Sequence, residues 1–317
     1  MTFWRVGILG VIAIISIPAA ASSDGTWSSI EPKALVQIDD DIARNLTRER
    51  FFEGVKLSEY RFSENGFDWH LIRFSNVDKP DGPNWAVPHD DENAAFDAMI
   101  AAIKKYGGTG IAVNSGPGGE RHQTGNGVCG VKTVRVTICD PNRNFSAQAP
   151  LFTAAFVDIF KPHQPVVALH TNSHGFSGDG ARGRGEITIY DRDAFALGKI
   201  RARKNGQLAV NPVDAMANPD TLALSAFLVR SDGPVGADAA CGSGMAQSGV
   251  HFWHEAVGKS DGSLSNYLAL NSPDIAYMNA ESRAETDLAL SAGRHAIMIK
   301  AYLEKCAGLW GKPATRP

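Results

Sequence analysis

The sequence predicts an α/β fold: one domain built on a mixed, largely parallel twisted β-sheet flanked by helices. Three observations lead there. Short apolar runs such as Trp85-Ala86-Val87 and Pro165 to Leu169 alternate with amphipathic helical patterns, the order expected when helices cover both faces of a sheet. The 317 residues are 44% hydrophobic and 21% charged, with 32 Gly and 16 Pro, ordinary globular composition that can bury a substantial core. No internal repeat, low-complexity run or convincing interdomain linker interrupts the chain.

The first segment has one positive charge at Arg5, an apolar run from Val6 to Ile17, Pro18 and then Ala19-Ala20-Ala21. A charged start, an apolar stretch and a small-residue site in that order predict a secretory signal peptide over 1–21 and a mature domain over 22–317. The apolar stretch is shorter than the ~20 residues that span a bilayer, so the expectation is cleavage, no membrane span afterwards, and a secreted or periplasmic location. Four cysteines suit an oxidising compartment. Of their three pairings, Cys129 with Cys139 and Cys241 with Cys306 is favoured. No CxxC is present, which argues against a cysteine metal site. The formal net charge is −3, and the short basic cluster from Lys199 to Lys204 reads as a solvated face, so no nucleic-acid partner is expected.

In order along the chain, Asp39 to Glu49 has helical character and Trp69 to Phe74 alternates as a strand. The Pro- and Gly-rich turn Asp78 to Asn84 leads into the buried strand Trp85-Ala86-Val87. Asp90 or Asp91 can cap a helix from Glu92 to Tyr106, in which Ala95, Met99 and Ile103 form the apolar stripe and Gly107-Gly108 the stop. Gly110 to Asn114 reads as a strand, and the glycines of Ser115 to Gly119 do not match a phosphate-binding loop. A helix is predicted over Leu151 to Phe160, a strand ending at His170, a loop over Gly175 to Gly185 and a strand over Ile187 to Tyr190. Leu222 to Arg230 is apolar but of undecided type; Ile275 to Asn279 is strand-like and Leu288 to Cys306 a long amphipathic helix.

Five short pieces carry chemistry: His89-Asp90-Asp91-Glu92, Gly119-Glu120-Arg121, Asp140-Pro141-Asn142-Arg143-Asn144-Phe145, Leu169-His170-Thr171-Asn172 and Asn279-Ala280-Glu281. Each alone is weak. In this order the set resembles the zinc carboxypeptidase superfamily, with its HxxE, its DxNRxF/W element, a late His at a strand end and a C-terminal Glu. The resemblance spans about Trp85 to Glu281.

That resemblance implies one Zn2+ held by His89, Glu92 and His170, three ligands that leave a fourth position for water. It implies Glu281 as the carboxylate that moves the water proton, with Glu285 as a competitor, and Arg121 as oxyanion stabiliser, with Arg135 as the alternative. Asn142 and Arg143 would hold a substrate carboxylate, for which the planar guanidinium fork is suited. Asp140 would orient a ligand imidazole, His89 first among them. A tyrosine often precedes the catalytic Glu in the family, and Tyr267 and Tyr277 both qualify; His174 reads as a loop residue. The implied function is an exported hydrolase acting on an amide bond next to a free carboxylate, in a peptide or muropeptide. An N-acyl amino acid deacylase of the aspartoacylase and succinylglutamate desuccinylase type shares the layout, although the signal peptide weighs against it. A non-catalytic binding protein on the same fold is the third reading.

Overall fold

The computed structural model describes residues 26–115, 128–130, 140–172, 206–209, 221–228, 237–273 and 275–309. Its elements in chain order are β1 (Ser28–Ile30), α1 (Pro32–Leu35), α2 (Asp40–Leu46), β2 (Val55–Glu64), β3 (Phe67–Asn76), β4 (Asn84–Val87), α3 (Asn93–Tyr106) and β5 (Thr109–Asn114). A 3-10 turn at Pro141–Arg143 is followed by α4 (Pro150–Val157), β6 (Val166–Asn172), β7 (Gly206–Ala209), β8 (Thr221–Leu228) and α5 (Ala237–Gln247). Last come β9 (His251–Val257), α6 (Leu264–Asn271), β10 (Tyr277–Arg283) and α7 (Leu288–Lys305).

The described strands form one sheet in the order β1-β2-β3-β5-β4-β6-β10-β8-β9-β7. Its centre, β5-β4-β6-β10, is parallel, as the alternation of strands and helices predicts. The β1-β2-β3 flank is antiparallel throughout, whereas on the other side only β8 and β9 run parallel. Successive side chains of a strand point to opposite faces, and the central strands are buried on both. Trp85, Val87, Val167, Leu169, Met278 and Ala280 pack in one core with α3 and α7. Ala86, Val166, Ala168 and Tyr277 pack in a second core with Phe145, Phe152, Phe156 and Leu264. Helices thus cover both faces, and no helix among the described residues is long and apolar enough to cross a membrane.

Local chemistry accounts for the boundaries near the site. Helix α3 ends at Gly107, whose φ of 81° only glycine adopts readily, and its N–H bonds the Ile103 carbonyl at 2.9 Å. A Cβ on the following Gly108 would overlap the Pro83 carbonyl oxygen, so this turn seats directly against the entry to β4. Cys241 and Cys306 are disulfide-bonded, as favoured, joining α5 to the end of α7. Cys129 is also disulfide-bonded, and Cys139 lies outside the described residues. So do 175–185, 187–190 and the basic cluster 199–204.

Asp39 offers a check on this packing. Its Oδ1 accepts the Ile42 N–H of α2 and its Oδ2 the Asn114 amide, each at 2.8 Å, and burial pushes its carboxyl up from 3.8 to about 6. A raised folded-state value means stability that is complete below the unfolded value and lost as pH rises through the folded one. Asp39→Asn keeps an acceptor for Ile42 and cannot ionise. Against wild type its stability is expected to gain up to about 3 kcal/mol between pH 4 and 6 and then level off, measured by urea unfolding at several pH values. A difference that does not change with pH would contradict the assignment.

Candidate metal centre

Strand β4 is wholly buried and apolar after Asn84, and Pro88, which has no N–H, follows its last residue. The chain then turns so that His89 stands just beyond the strand and Glu92 occupies the N-cap of α3. Neither Asp90 nor Asp91 takes that cap. Asp90 accepts the Ser115 N–H at 2.7 Å instead, and Glu92 makes no side-chain cap bond because its carboxylate turns inward to two histidines. His170 and Glu281 do not end their strands; β6 and β10 each continue for two residues past them. In the parallel β6–β10 pair, Glu281 and His170 are direct register partners, so both side chains stand on the same face.

His89, Glu92 and His170 converge, all buried, and can hold a metal ion. His89 Nδ1 lies 3.0 Å from Glu92 Oε1, His170 Nδ1 lies 3.1 Å from Glu92 Oε2, and the two Nδ1 atoms are 3.1 Å apart. The other nitrogen of His89 meets Asp140 Oδ1 at 2.8 Å, and the same oxygen accepts the Asn142 N–H at 2.9 Å. An ionised carboxylate only accepts, so Asp140 draws the His89 proton to Nε2 and leaves a lone pair on Nδ1. That lone pair faces a carboxylate oxygen and a second imidazole nitrogen. His170 Nε2 is buried without a hydrogen-bond partner among the described residues. Three electron-rich groups crowded together with too few protons between them are what a cation requires and what an apo cluster would resist.

The Glu281 side chain is partly buried. Burial pushes its carboxyl up and Glu92 adds to the rise, while the neighbouring imidazoles of His170 and His89 and the Asn279 hydrogen bond at 2.8 Å draw it back. A carboxyl raised toward neutrality is suited to taking and returning a proton. Glu285, the competitor, is gripped by Arg294 at 2.9 Å.

Asp140, which meets His89, also opens the turn that carries the two predicted clamp residues, Asn142 and Arg143. Arg143 is buried; its guanidinium donates to the Asn142 carbonyl at 2.9 Å and lies 3.9 Å from Asp261. Asn142 Oδ1 accepts the first N–H of α6, from Leu264, at 3.0 Å, so the donor half of its amide is the half suited to an anion. Arg121, Arg135 and His174 lie outside the described residues. Tyr277 belongs to the second core, and Tyr267 packs on it with its ring 6.4 Å from that of Phe145.

No protein-family model and no curated protein matches the sequence. Among solved structures the chain is similar to a candidate metallopeptidase of Shewanella amazonensis SB2B, at 11% identity and a TM-score of 0.37 over 85% of this chain and 91% of that one. A second candidate metallopeptidase, from Shewanella denitrificans OS217, matches at 12% and 0.38 over 84% and 88%. A candidate carboxypeptidase A from Shewanella denitrificans OS-217 matches at 9% and 0.45 over 82% and 66%. Scores this low add no weight to the geometry of the site.

Two supporting residues escape a sequence reading. Asn144 is fully buried, donates to the carbonyls of Asp140 and Pro141 at 2.8 and 3.3 Å, and accepts the Cys129 N–H at 2.8 Å. It staples the turn that carries Asp140, Asn142 and Arg143. His295, on the buried face of α7, is likewise fully buried; burial pushes its imidazole down to about 4. The only hint of either was a polar residue inside an otherwise informative segment. A separate cleft lined by Arg44, Arg48, Lys104 and Leu288 contains none of these groups, and both of its arginines are engaged by Asp97.

Proposed function

We propose that the chain is an exported zinc-dependent hydrolase that cleaves an amide bond next to a free carboxylate, in a peptide or muropeptide. The observation that carries this reading is the convergence of His89 Nδ1, Glu92 and His170 Nδ1, with Asp140 behind His89 and Glu281 beside His170. The donor set is neutral imidazole and carboxylate, the types zinc takes. Tetrahedral bonds of about 2.0–2.1 Å put neighbouring ligand atoms about 3.3 Å apart, and the separations here are 3.0 to 3.1 Å. A zinc ion bound there would acidify a water molecule and polarise the scissile carbonyl.

The chain's own residues do the rest. Asp140 keeps the His89 proton on Nε2, so that Nδ1 remains a donor of electrons. Glu281 takes a proton from the attacking water as its oxygen bonds to the carbonyl carbon, then delivers that proton to the amide nitrogen as the C–N bond breaks. Arg121 is assigned the oxyanion on the motif alone. Asn142 and Arg143 bind the carboxylate beside the bond and set which amide is presented. The N-terminal signal supports an exported location, where muropeptides are accessible.

Zinc-loaded protein should be assayed against short peptides, muropeptides and N-acyl amino acids, each as free acid and as amide. Masking the carboxylate is expected to lower kcat/KM about 100-fold, equivalent to about 2.7 kcal/mol, and Arg143→Gln to lower it similarly for the free acids. Protein that takes up no zinc and has no chelator-sensitive hydrolysis would refute the reading. Turnover confined to N-acyl amino acids would replace it with the deacylase.

A further inference from the structure

We propose that His295 is a positioning residue of this centre, clamping the β6–β10 seam at the step that carries His170 and Glu281. This role presupposes the zinc hydrolase proposed above. His295 Nε2 lies 2.9 Å from the main-chain carbonyl oxygen of His170, and Nδ1 lies 3.3 Å from Ser282 Oγ, beside Glu281. A carbonyl only accepts, so the bond to His170 places a proton on Nε2, and Nδ1 faces the Ser282 hydroxyl, with the Ser291 backbone also hydrogen-bonded to the ring. The ring therefore spans two strands at one register step, where Glu281 faces His170 and Ser282 faces Thr171.

Its place in the layers excludes direct chemistry. Met278 and Ala280 point into the core shared with Met298, Ile299 and Tyr302 of α7, and by alternation Ser282 does too. Val166 and Ala168 point into the opposite core, and by the same alternation so does the His170 ring. His295 thus acts from behind the sheet, through backbone and Ser282, and touches no reacting atom. Volume alone would be filled at lower cost by Leu or Met, since a buried imidazole is tolerated only with its nitrogens partnered. His295 and Ser282 are both completely buried, and the atoms they tie are the carbonyl of one ligand residue and the neighbour of the proton carrier. Sliding or splaying of this seam would change the separation of His170 from Glu281, which proton transfer and metal binding both depend on.

The test compares wild type, His295→Leu, His295→Gln and Ser282→Ala. Zinc affinity of the stripped proteins is read by chelator competition, and kcat and KM are read separately. His295→Leu is expected to bind zinc about 10–100-fold more weakly and to lose about tenfold or more in kcat while KM holds. His295→Gln, whose amide can donate to the same carbonyl, should recover most of both losses. A folded His295→Leu protein with wild-type zinc affinity and kcat overturns the role, as does His295→Gln that is no better than His295→Leu. If His295→Leu fails to fold, Ser282→Ala decides: a smaller loss in the same two quantities supports the clamp, and unchanged values overturn it. Wild type that binds no zinc removes the hydrolase reading and the clamp together. Wild type that binds zinc while the variants behave like it removes the clamp alone.

Discussion

Glu281→Gln is expected to lower kcat by about 10²–10⁴-fold, the span attributed to general acid–base groups, while the protein still binds one zinc with unchanged affinity. The substitution preserves shape and removes the proton-carrying function. It should not cost stability. Partial burial pushes the Glu281 carboxyl up, so a neutral amide relieves the desolvation of a charge. Metal content by mass spectrometry, single-turnover rates and thermal unfolding on one preparation separate these effects. Wild-type turnover in the variant would remove Glu281 from the mechanism. Glu285, held by Arg294, would be the next carboxylate to examine.

The second large effect is on the metal itself. His170→Ala removes one of three donors, and its loss of zinc affinity should exceed the roughly 10–100-fold that follows removal of an outer-sphere partner. Zinc is expected to bind the native state of wild type and so to raise its Tm by mass action; the variant should not respond. Without metal, the variant should be little less stable than wild type. The alanine empties a side-chain site but also removes a buried ring nitrogen, His170 Nε2, that has no hydrogen-bond partner among the described residues. Stoichiometric zinc in purified His170→Ala protein, with a full Tm response, would mean the ion sits elsewhere.

The parts of this site that were legible in the sequence are those set within one element or one turn. The apolar run before Pro88 and the stripe of Ala95, Met99 and Ile103 announced a strand and a helix, and β4 and α3 form there because the same residues are the ones buried. Gly107 stopped α3 where expected. Other elements were less visible. Helix α5 contains two glycines and little amphipathic signal; what holds it is the Cys241–Cys306 bond and the contact of Gly244 with Lys305 of α7. Helix α6 begins at Ser263, whose hydroxyl accepts the Asn266 N–H, but in a helix of 8 residues its apolar side chains do not form a clear one-sided stripe. The expected Asp90 or Asp91 cap failed because Asp90 is drawn to Ser115, a partner just beyond the end of β5.

By itself the sequence determined the kind of residue and its local seat: a His and a Glu one helical turn apart after a buried strand, a late His on an apolar strand, an Asp-Pro-Asn-Arg turn. Tertiary structure alone decided that His170 and Glu281 are register partners, that Asp140 meets the Nε2 of His89 at 2.8 Å, and that His295 meets the carbonyl of His170 from behind the sheet. The physical reason is that a donor triangle with sides near 3 Å depends on strand order and register. Those are set by the summed packing of both cores, to which no short segment holds the key.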